Sequence, residues 1–247
     1  MTTPALFIDN LHKRFGGLPA TRDVTMRVAQ GERRLVIGPN GAGKTTLFNQ
    51  ITGDIAPTSG AIYLFGADVT RLSPAQRAHR GIARTYQIIT LFQKDTLEHN
   101  VMLALLGLSR RRFDILRPLS RFPDMRAAAR EALALVGLDG AADRTVSALA
   151  YGEKRRLEIA LALAQKPKLL LLDEPMAGLS LEERKSVKSL IASIPRTTTL
   201  VMIEHDMDTA LDLADAVTLL HYGKVLVDGS PQAVISDPQT REVYLGV

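Results

Sequence analysis

Gly38 to Thr46 reads GPNGAGKTT and satisfies the G-x-x-x-x-G-K-[ST] pattern in full, with Gly38, Gly43, Lys44 and Thr45 at its defining positions. Glycine at both ends lets the backbone close into a concave nest through Pro39, Asn40, Gly41 and Ala42, where main-chain N–H groups converge on phosphate oxygens. Lys44 adds a full positive charge for the β- and γ-phosphates, Thr45 offers a hydroxyl to Mg²⁺, and Thr46 continues the first helical turn. Leu35, Val36 and Ile37 precede the loop as a buried strand, and Leu47, Phe48 and Ile51 follow it at helical spacing. A helix starting there aims its positive N-terminus at the same phosphates. The pattern in this setting predicts that the chain binds a nucleoside triphosphate.

A second group sits in LLLLDEP, Leu169 to Pro175. Four consecutive leucines read as a strand buried on both faces, ended by two carboxylates and a proline. Carboxylates at the carboxyl end of a central strand stand where such sheets bind ligands. Asp173 can hold Mg²⁺ directly or through its water shell, and Glu174 is placed to polarise an attacking water.

Short strands are predicted to position these groups: Ala5 to Leu11, Val24 to Val28 and Arg33 to Ile37, with turns at Gly16-Gly17 and Gln30-Gly31. Further strands follow at Ala61 to Leu64 and Gly81 to Tyr86. Helical periodicity then takes over, at Val101, Leu105 and Leu108, at Ala127 to Val136, and from about Gly152 to Ala164. The stretch between Lys44 and Leu169 exceeds what a minimal nucleotide-binding core needs, so a mostly helical subdomain is expected within it. Afterwards strand and helix alternate: Thr199 to Ile203, a helix from Asp206 to Ala214, Val217 to Leu220 and Val225 to Val227, with a hairpin turn at Tyr222-Gly223. That order argues for an α/β fold with a mostly parallel central sheet.

With 247 residues, 46% hydrophobic and 23% charged, the chain can bury a sizeable core. It has no cysteine, which excludes disulfides and cysteine-held metals. The beginning MTTPALFIDN has no basic region followed by an apolar stretch, so no secretory leader is expected. No window approaches the roughly 18–20 apolar residues of a membrane span, so a membrane role would be peripheral. The net charge of +5 owes much to the segment from Ser109 to Arg130, which is expected to be a solvated surface with little aromatic interleaving for base stacking. His12, His79, His99 and His221 show no ligand spacing and are expected on the surface or in loops.

Three further strings give these groups a context: ARTYQ at Ala83 to Gln87, ALAYGEKRRLEIALALA at Ala148 to Ala164, and VMIEHDM at Val201 to Met207. With the loop and the carboxylate strand, in this order, the chain resembles the ATP-binding subunits of ABC transporters over essentially its whole length. The strings ARTYQ, LEIALALA, DEPMAGLS and IEHDM, with the ending DGSPQAVISDP and YLG, are most similar to the ATPases of branched-chain amino-acid importers.

This resemblance implies a P-loop NTPase core with an antiparallel β N-terminal part and an inserted helical signature subdomain. The division implied is a core of residues 1–87 and 166–247 with a helical subdomain of residues 88–165. It implies that Leu149, Ala150, Tyr151, Gly152 and Glu153 form a signature that closes over ATP held by an opposite subunit. It also implies that His205 bonds the γ-phosphate or attacking water, that Gln87 reaches Mg²⁺ or the water, and that Phe15 stacks on adenine. ATP and Mg²⁺ are the implied cofactors. The implied partners are integral membrane permease subunits, a second ATPase subunit in a homo- or heterodimer and, indirectly, a substrate-binding protein, with no nucleic acid expected. The implied place is the cytoplasmic face of a prokaryotic inner membrane.

The chain departs from the family pattern at Ala150, where serine is usual, at Glu153, where glutamine is usual, and at Ser180, where aspartate or asparagine is common. Loss of one hydroxyl bond to phosphate would weaken closure by about 1.5–3 kcal/mol. Alternative readings stay open at this point. A lipopolysaccharide-extracting ATPase shares a glutamate like Glu153 but lacks the YLG ending. A soluble nucleic-acid ATPase would ordinarily carry long coiled-coil insertions or two cores, and a P-loop kinase would leave the signature helix and His205 unexplained.

Overall fold

Alternating apolar residues build the first sheet. In β1 (Leu6–Phe15) Leu6, Ile8 and Leu11 are fully buried, and the change of phase between Ile8 and Leu11 coincides with a register shift at Asn10, whose φ is +49°. β1 pairs antiparallel with β2 (Leu18–Val28) and with β4 (Ser59–Leu64), and β4 pairs with β5 (Ala67–Asp68), giving the order β2-β1-β4-β5. The structure, a computed structural model, describes residues 2–86, 90–204 and 210–245. Gln87, His205 and residues 206–209 of the helix expected from Asp206 to Ala214 lie outside the described residues.

The second sheet has the order β10-β9-β3-β8-β7-β6, formed by β3 (Arg33–Ile37), β6 (Ile82–Arg84), β7 (Leu169–Asp173), β8 (Thr199–Ile203), β9 (Ala216–His221) and β10 (Lys224–Gly229). All its pairings are parallel except β9 with β10, which are joined by the predicted turn with φ of +45° at Tyr222 and +78° at Gly223. Positive φ at both central positions matches the twist of a tight hairpin.

Every residue of β7 and β8 is buried, and the period of two explains why. Leu169 and Leu171 face α1 (Lys44–Thr52) and the antiparallel sheet, in one core with Leu6, Ile8, Leu47 and Phe48. Leu170 and Leu172 face the opposite way, in a second core with Leu97, Leu133, Leu157 and Ile191. Those residues come from α3 (Leu97–Leu108), α4 (Pro123–Leu135), α5 (Tyr151–Ala164) and α6 (Leu181–Ser193), the first three packed on one another. A central strand sandwiched in this way holds its carboxyl end rigid, and Asp173 and Glu174 stand there.

Several elements differ from expectation at their ends. β1 and β2 run farther, to Phe15 and from Leu18, because ladder pairing continues where burial has stopped. The helix expected from Ala127 starts at Pro123, a good first helical residue. A short helix, α2 (Pro74–Ala78), was not anticipated although Ser73, Pro74 and Gln76 spell a capping box with proline at the first position. α7 (Pro231–Ser236) and α8 (Pro238–Leu245) close the described chain. His12, His99 and His221 lie in β1, α3 and β9 and are partly exposed, in line with the surface placement expected; His12 pairs with Asp23 at 2.8 Å and His99 with Asp95 at 3.2 Å.

Four of the seven arginines in the segment from Ser109 to Arg130 are paired with carboxylates, Arg111 with Asp124, Arg117 with Asp114, and Arg126 and Arg130 with Glu98 of α3, which leaves the segment a net positive charge. No helix among the described residues is long and apolar enough to cross a membrane.

Candidate nucleotide site

The phosphate loop is pressed between two backbones. A Cβ on Gly38, at φ +150°, would stand 2.2 Å from the carbonyl oxygen of Leu220, and one on Gly43, at φ +101°, would stand 2.4 Å from that of Ala20. Only glycine fits either position. The Gly223 N–H donates to the Ala42 carbonyl at 2.9 Å and the Arg22 N–H to the Gly223 carbonyl at 2.7 Å, so the β9–β10 turn ties the loop to β2. α1 then begins at Lys44 with neither a side-chain cap nor an acidic residue in its first turn. Its leading N–H groups and the positive end of its dipole are left for an anion.

Lys44 is buried, and its Nζ donates to the carbonyls of Gly38 at 2.6 Å and Pro39 at 3.1 Å. Burial lowers its proton affinity, while the charges of Glu174 and Asp173 raise it. A phosphate would reinforce that opposing pull and give the ammonium a stronger acceptor than two carbonyls. Asn40, Gly41, Ala42, Gly43, Lys44, Thr45 and Thr46 line a cavity of ≈ 370 Å³ together with Leu18, Pro19, Ala20 and Arg22 of β2, Tyr222 and Glu174. Its size is in the range of small-molecule sites.

Asp173 is 1% exposed and ends β7. Its Oδ2 accepts from Arg84 Nη2 at 2.8 Å, while its Oδ1 is buried and has no hydrogen-bond partner among the described residues. An orphaned carboxylate oxygen beside the phosphate loop fits a cation or its water. Arg84 also donates to Asn49 Oδ1 at 2.6 Å, which joins β6 and α1 to the same carboxylate. Glu174 follows at φ +47°, a left-handed conformation rare for side chains other than glycine, with its N–H donating to the Ile203 carbonyl at 3.0 Å.

The structure therefore brings together the loop, Lys44, Thr45, Asp173 and Glu174. Phe15 stands at the end of β1, 49% exposed and outside the cavity lining, with the Lys13 ammonium 5.1 Å from its ring. Leu149, Ala150, Tyr151, Gly152 and Glu153 also lie outside that lining, at the start of α5. Gln87 and His205 cannot be placed, being outside the described residues.

Two of the departures from the family pattern have local explanations. Ala150 occupies the N-cap of α5 and supplies no side-chain acceptor, but Glu153 Oε2 accepts the Ala150 N–H at 2.8 Å, so half of a capping box is kept. Ser180 caps α6 in a reciprocal box, its Oγ accepting from the Glu183 N–H and Glu183 accepting the Ser180 N–H at 2.9 Å. The other oxygen of Glu183 accepts the Gly152 N–H at 3.2 Å, linking the starts of α5 and α6. Ala150→Ser is expected to complete the α5 cap and stabilise the chain by about 1 kcal/mol, a rise in melting temperature of about 2–4 °C. Thermal unfolding of the two proteins checks this; an unchanged melting temperature refutes it.

Sequence reasoning missed Arg22, Tyr222, Arg84, Arg155 and Glu183. For Arg84 a signal existed, since it follows Ile82 and Ala83 in a strand, whereas Arg155 lies within the charged run Glu153 to Arg156 and carries none.

The ABC transporter family model matches the chain over residues 21–177. BraF, the high-affinity branched-chain amino acid transport ATP-binding protein of Pseudomonas aeruginosa, is 37% identical over 255 aligned positions, which cover 100% of this chain and 99% of BraF. LivG of Escherichia coli, described in the same words, matches with the same identity and coverage. Among solved structures, the ADP conformation of MJ1267, an ATP-binding cassette of an ABC transporter, superposes with a TM-score of 0.89 at 30% identity, covering 100% of both chains. The nucleotide-cradling loop, the carboxylate strand and these full-length matches lead to one conclusion: the chain belongs to the ABC transporter family, as an ATP-binding and ATP-hydrolysing cassette.

Proposed function

We propose that this cassette powers the import of branched-chain amino acids from the cytoplasmic face of a prokaryotic inner membrane, docked peripherally on permease subunits that a substrate-binding protein serves. The observation that carries the solute assignment is the alignment of the whole chain, end to end, with BraF and LivG.

In this reading Lys44 leaves the Gly38 and Pro39 carbonyls for the β- and γ-phosphates, and Gly38 to Thr46 cradle them through main-chain N–H groups. Thr45 and the Oδ1 of Asp173 that has no partner among the described residues would hold Mg²⁺, which when bound neutralises charge on the β- and γ-oxygens. Glu174 would act as general base or position the attacking water, Gln87 would reach Mg²⁺ or that water, and His205 would bond the γ-phosphate or the water. Phe15, one strand end from the cavity, would stack on the adenine. Leu149 to Glu153 lie away from this chain's own loop, which supports their closing over the nucleotide of a second ATPase subunit, identical or related. Residues 88–165 would then act as a helical unit and residues 1–87 with 166–247 as the core.

Reconstitution with the permease subunits in lipid vesicles tests the assignment. ATP hydrolysis is expected to rise several-fold when a binding protein loaded with leucine, isoleucine or valine is added, and to stay basal with a sulfate-loaded one. Equal responses to all of these, or none to the amino acids, would overturn it.

A further inference from the structure

Arg155, in the second turn of α5, is 1% exposed. Burying a guanidinium so completely is unfavourable unless its donors are well used, and an apolar residue would fill the space more cheaply. Here one fork serves three elements. Nη2 donates to the Glu174 carbonyl at 2.9 Å, and Nη1 donates to the Tyr86 carbonyl at 3.0 Å and to Glu158 Oε2 at 2.8 Å. Tyr86 immediately precedes Gln87, and Glu174 is held in a left-handed conformation. The guanidinium thus fixes the peptide that follows the hydrolytic carboxylate and the peptide that enters the Gln87 segment, and both are anchored to the helix that starts with the signature.

We propose that Arg155 is a positioning residue for ATP hydrolysis: it sets the backbone of Glu174 against that of Tyr86, so that a shift of α5 is felt at the attacking water. The proposal rests on Glu174 as the hydrolytic carboxylate. A lysine in its place is a single point donor and reaches one carbonyl, not two in different directions. Arg84 makes the parallel link to Asp173 and stacks on the Tyr86 ring at 4.8 Å, so Tyr86 is gripped by ring and by carbonyl.

The test uses the full chain and reads hydrolysis and nucleotide affinity separately, with a fluorescent ATP analogue as the binding probe. Arg155→Lys is expected to lower kcat by about tenfold with the Kd of the Mg²⁺–nucleotide within about threefold, a split that general loosening of the fold would not give. Arg155→Met alone would strand Glu158 as a buried unpaired charge, so it is combined with Glu158→Gln. That pair should lose more kcat, again at constant Kd. The proposal fails if Arg155→Lys keeps kcat within twofold, or if affinity and kcat fall together in both proteins. Should the double variant not fold, Arg155→Lys decides alone. Glu174→Gln run alongside separates the two readings: full activity there removes Glu174 from its role, whereas an inert Glu174→Gln beside fully active Arg155 variants overturns only the proposal for Arg155.

Discussion

Glu174→Gln is expected to lower ATP turnover by about 10²–10⁴-fold, the usual contribution of a positioned general base. The substitution is nearly isosteric, and the features that set the backbone do not depend on the side chain: the Glu174 N–H still reaches Ile203, and its carbonyl still accepts from Arg155. What disappears is the basic oxygen and one negative charge in a cavity that must hold a triphosphate. Nucleotide affinity should therefore be unchanged or tighter, because repulsion between the carboxylate and the γ-phosphate is relieved. A protein that binds ATP but cannot spend it should accumulate in the closed dimer. The readouts are phosphate release at saturating ATP and size-exclusion chromatography with Mg²⁺–ATP. Turnover within about tenfold of the parent would show that Glu174 is not the base, since a merely electrostatic neighbour costs less.

The parts of this site that were legible in the sequence are those where one backbone conformation demands one residue type. Gly38 and Gly43 are required by contacts closer than any Cβ allows, and the four leucines before Asp173 are required by burial on two faces. Such constraints act locally and leave a pattern. Arg84 and Arg155 answer to constraints assembled from distant parts of the chain, from β6 to α1 and β7, and from α5 to Tyr86 and Glu174. Nothing in their immediate neighbours names the partner, and Arg155 is further hidden among the charges of Glu153, Lys154 and Arg156. Glu183 is a third kind: its capping role is local and readable from Ser180, whereas its bond to Gly152 depends on how α5 and α6 are set side by side. Element ends were misjudged for a related reason. Leu18 is 72% exposed yet pairs with Phe15, because a hairpin ladder continues wherever backbone groups find partners, whether or not side chains are buried.

Gly43→Ala is expected to weaken nucleotide binding by at least about 10²-fold, and Gly41→Ala provides the comparison that explains why. Both glycines have left-handed backbones, φ +101° and +79°, so both variants bear a conformational cost of about 1–2 kcal/mol. They differ in surroundings: a Cβ at Gly41 meets nothing within 4 Å, whereas one at Gly43 meets the Ala20 carbonyl at 2.4 Å. That oxygen belongs to β2, which is held on one side by β1 and reaches the loop through the β9–β10 turn, so it cannot swing away as a side-chain end would. The loop must yield instead, by roughly the 1 Å that is enough elsewhere to cost about 10² in a positioned site. Gly43 is also the residue from which α1 starts, so the displacement carries Lys44, Thr45 and the leading N–H groups together. Gly43→Ala should thus weaken Mg²⁺–ATP binding by at least about 10²-fold and lose the stabilisation that ligand confers in thermal unfolding, while Gly41→Ala keeps most of both. Equal losses in the two variants would mean that backbone strain alone, and not the pressure of β2 on the loop, holds the phosphate cradle in shape.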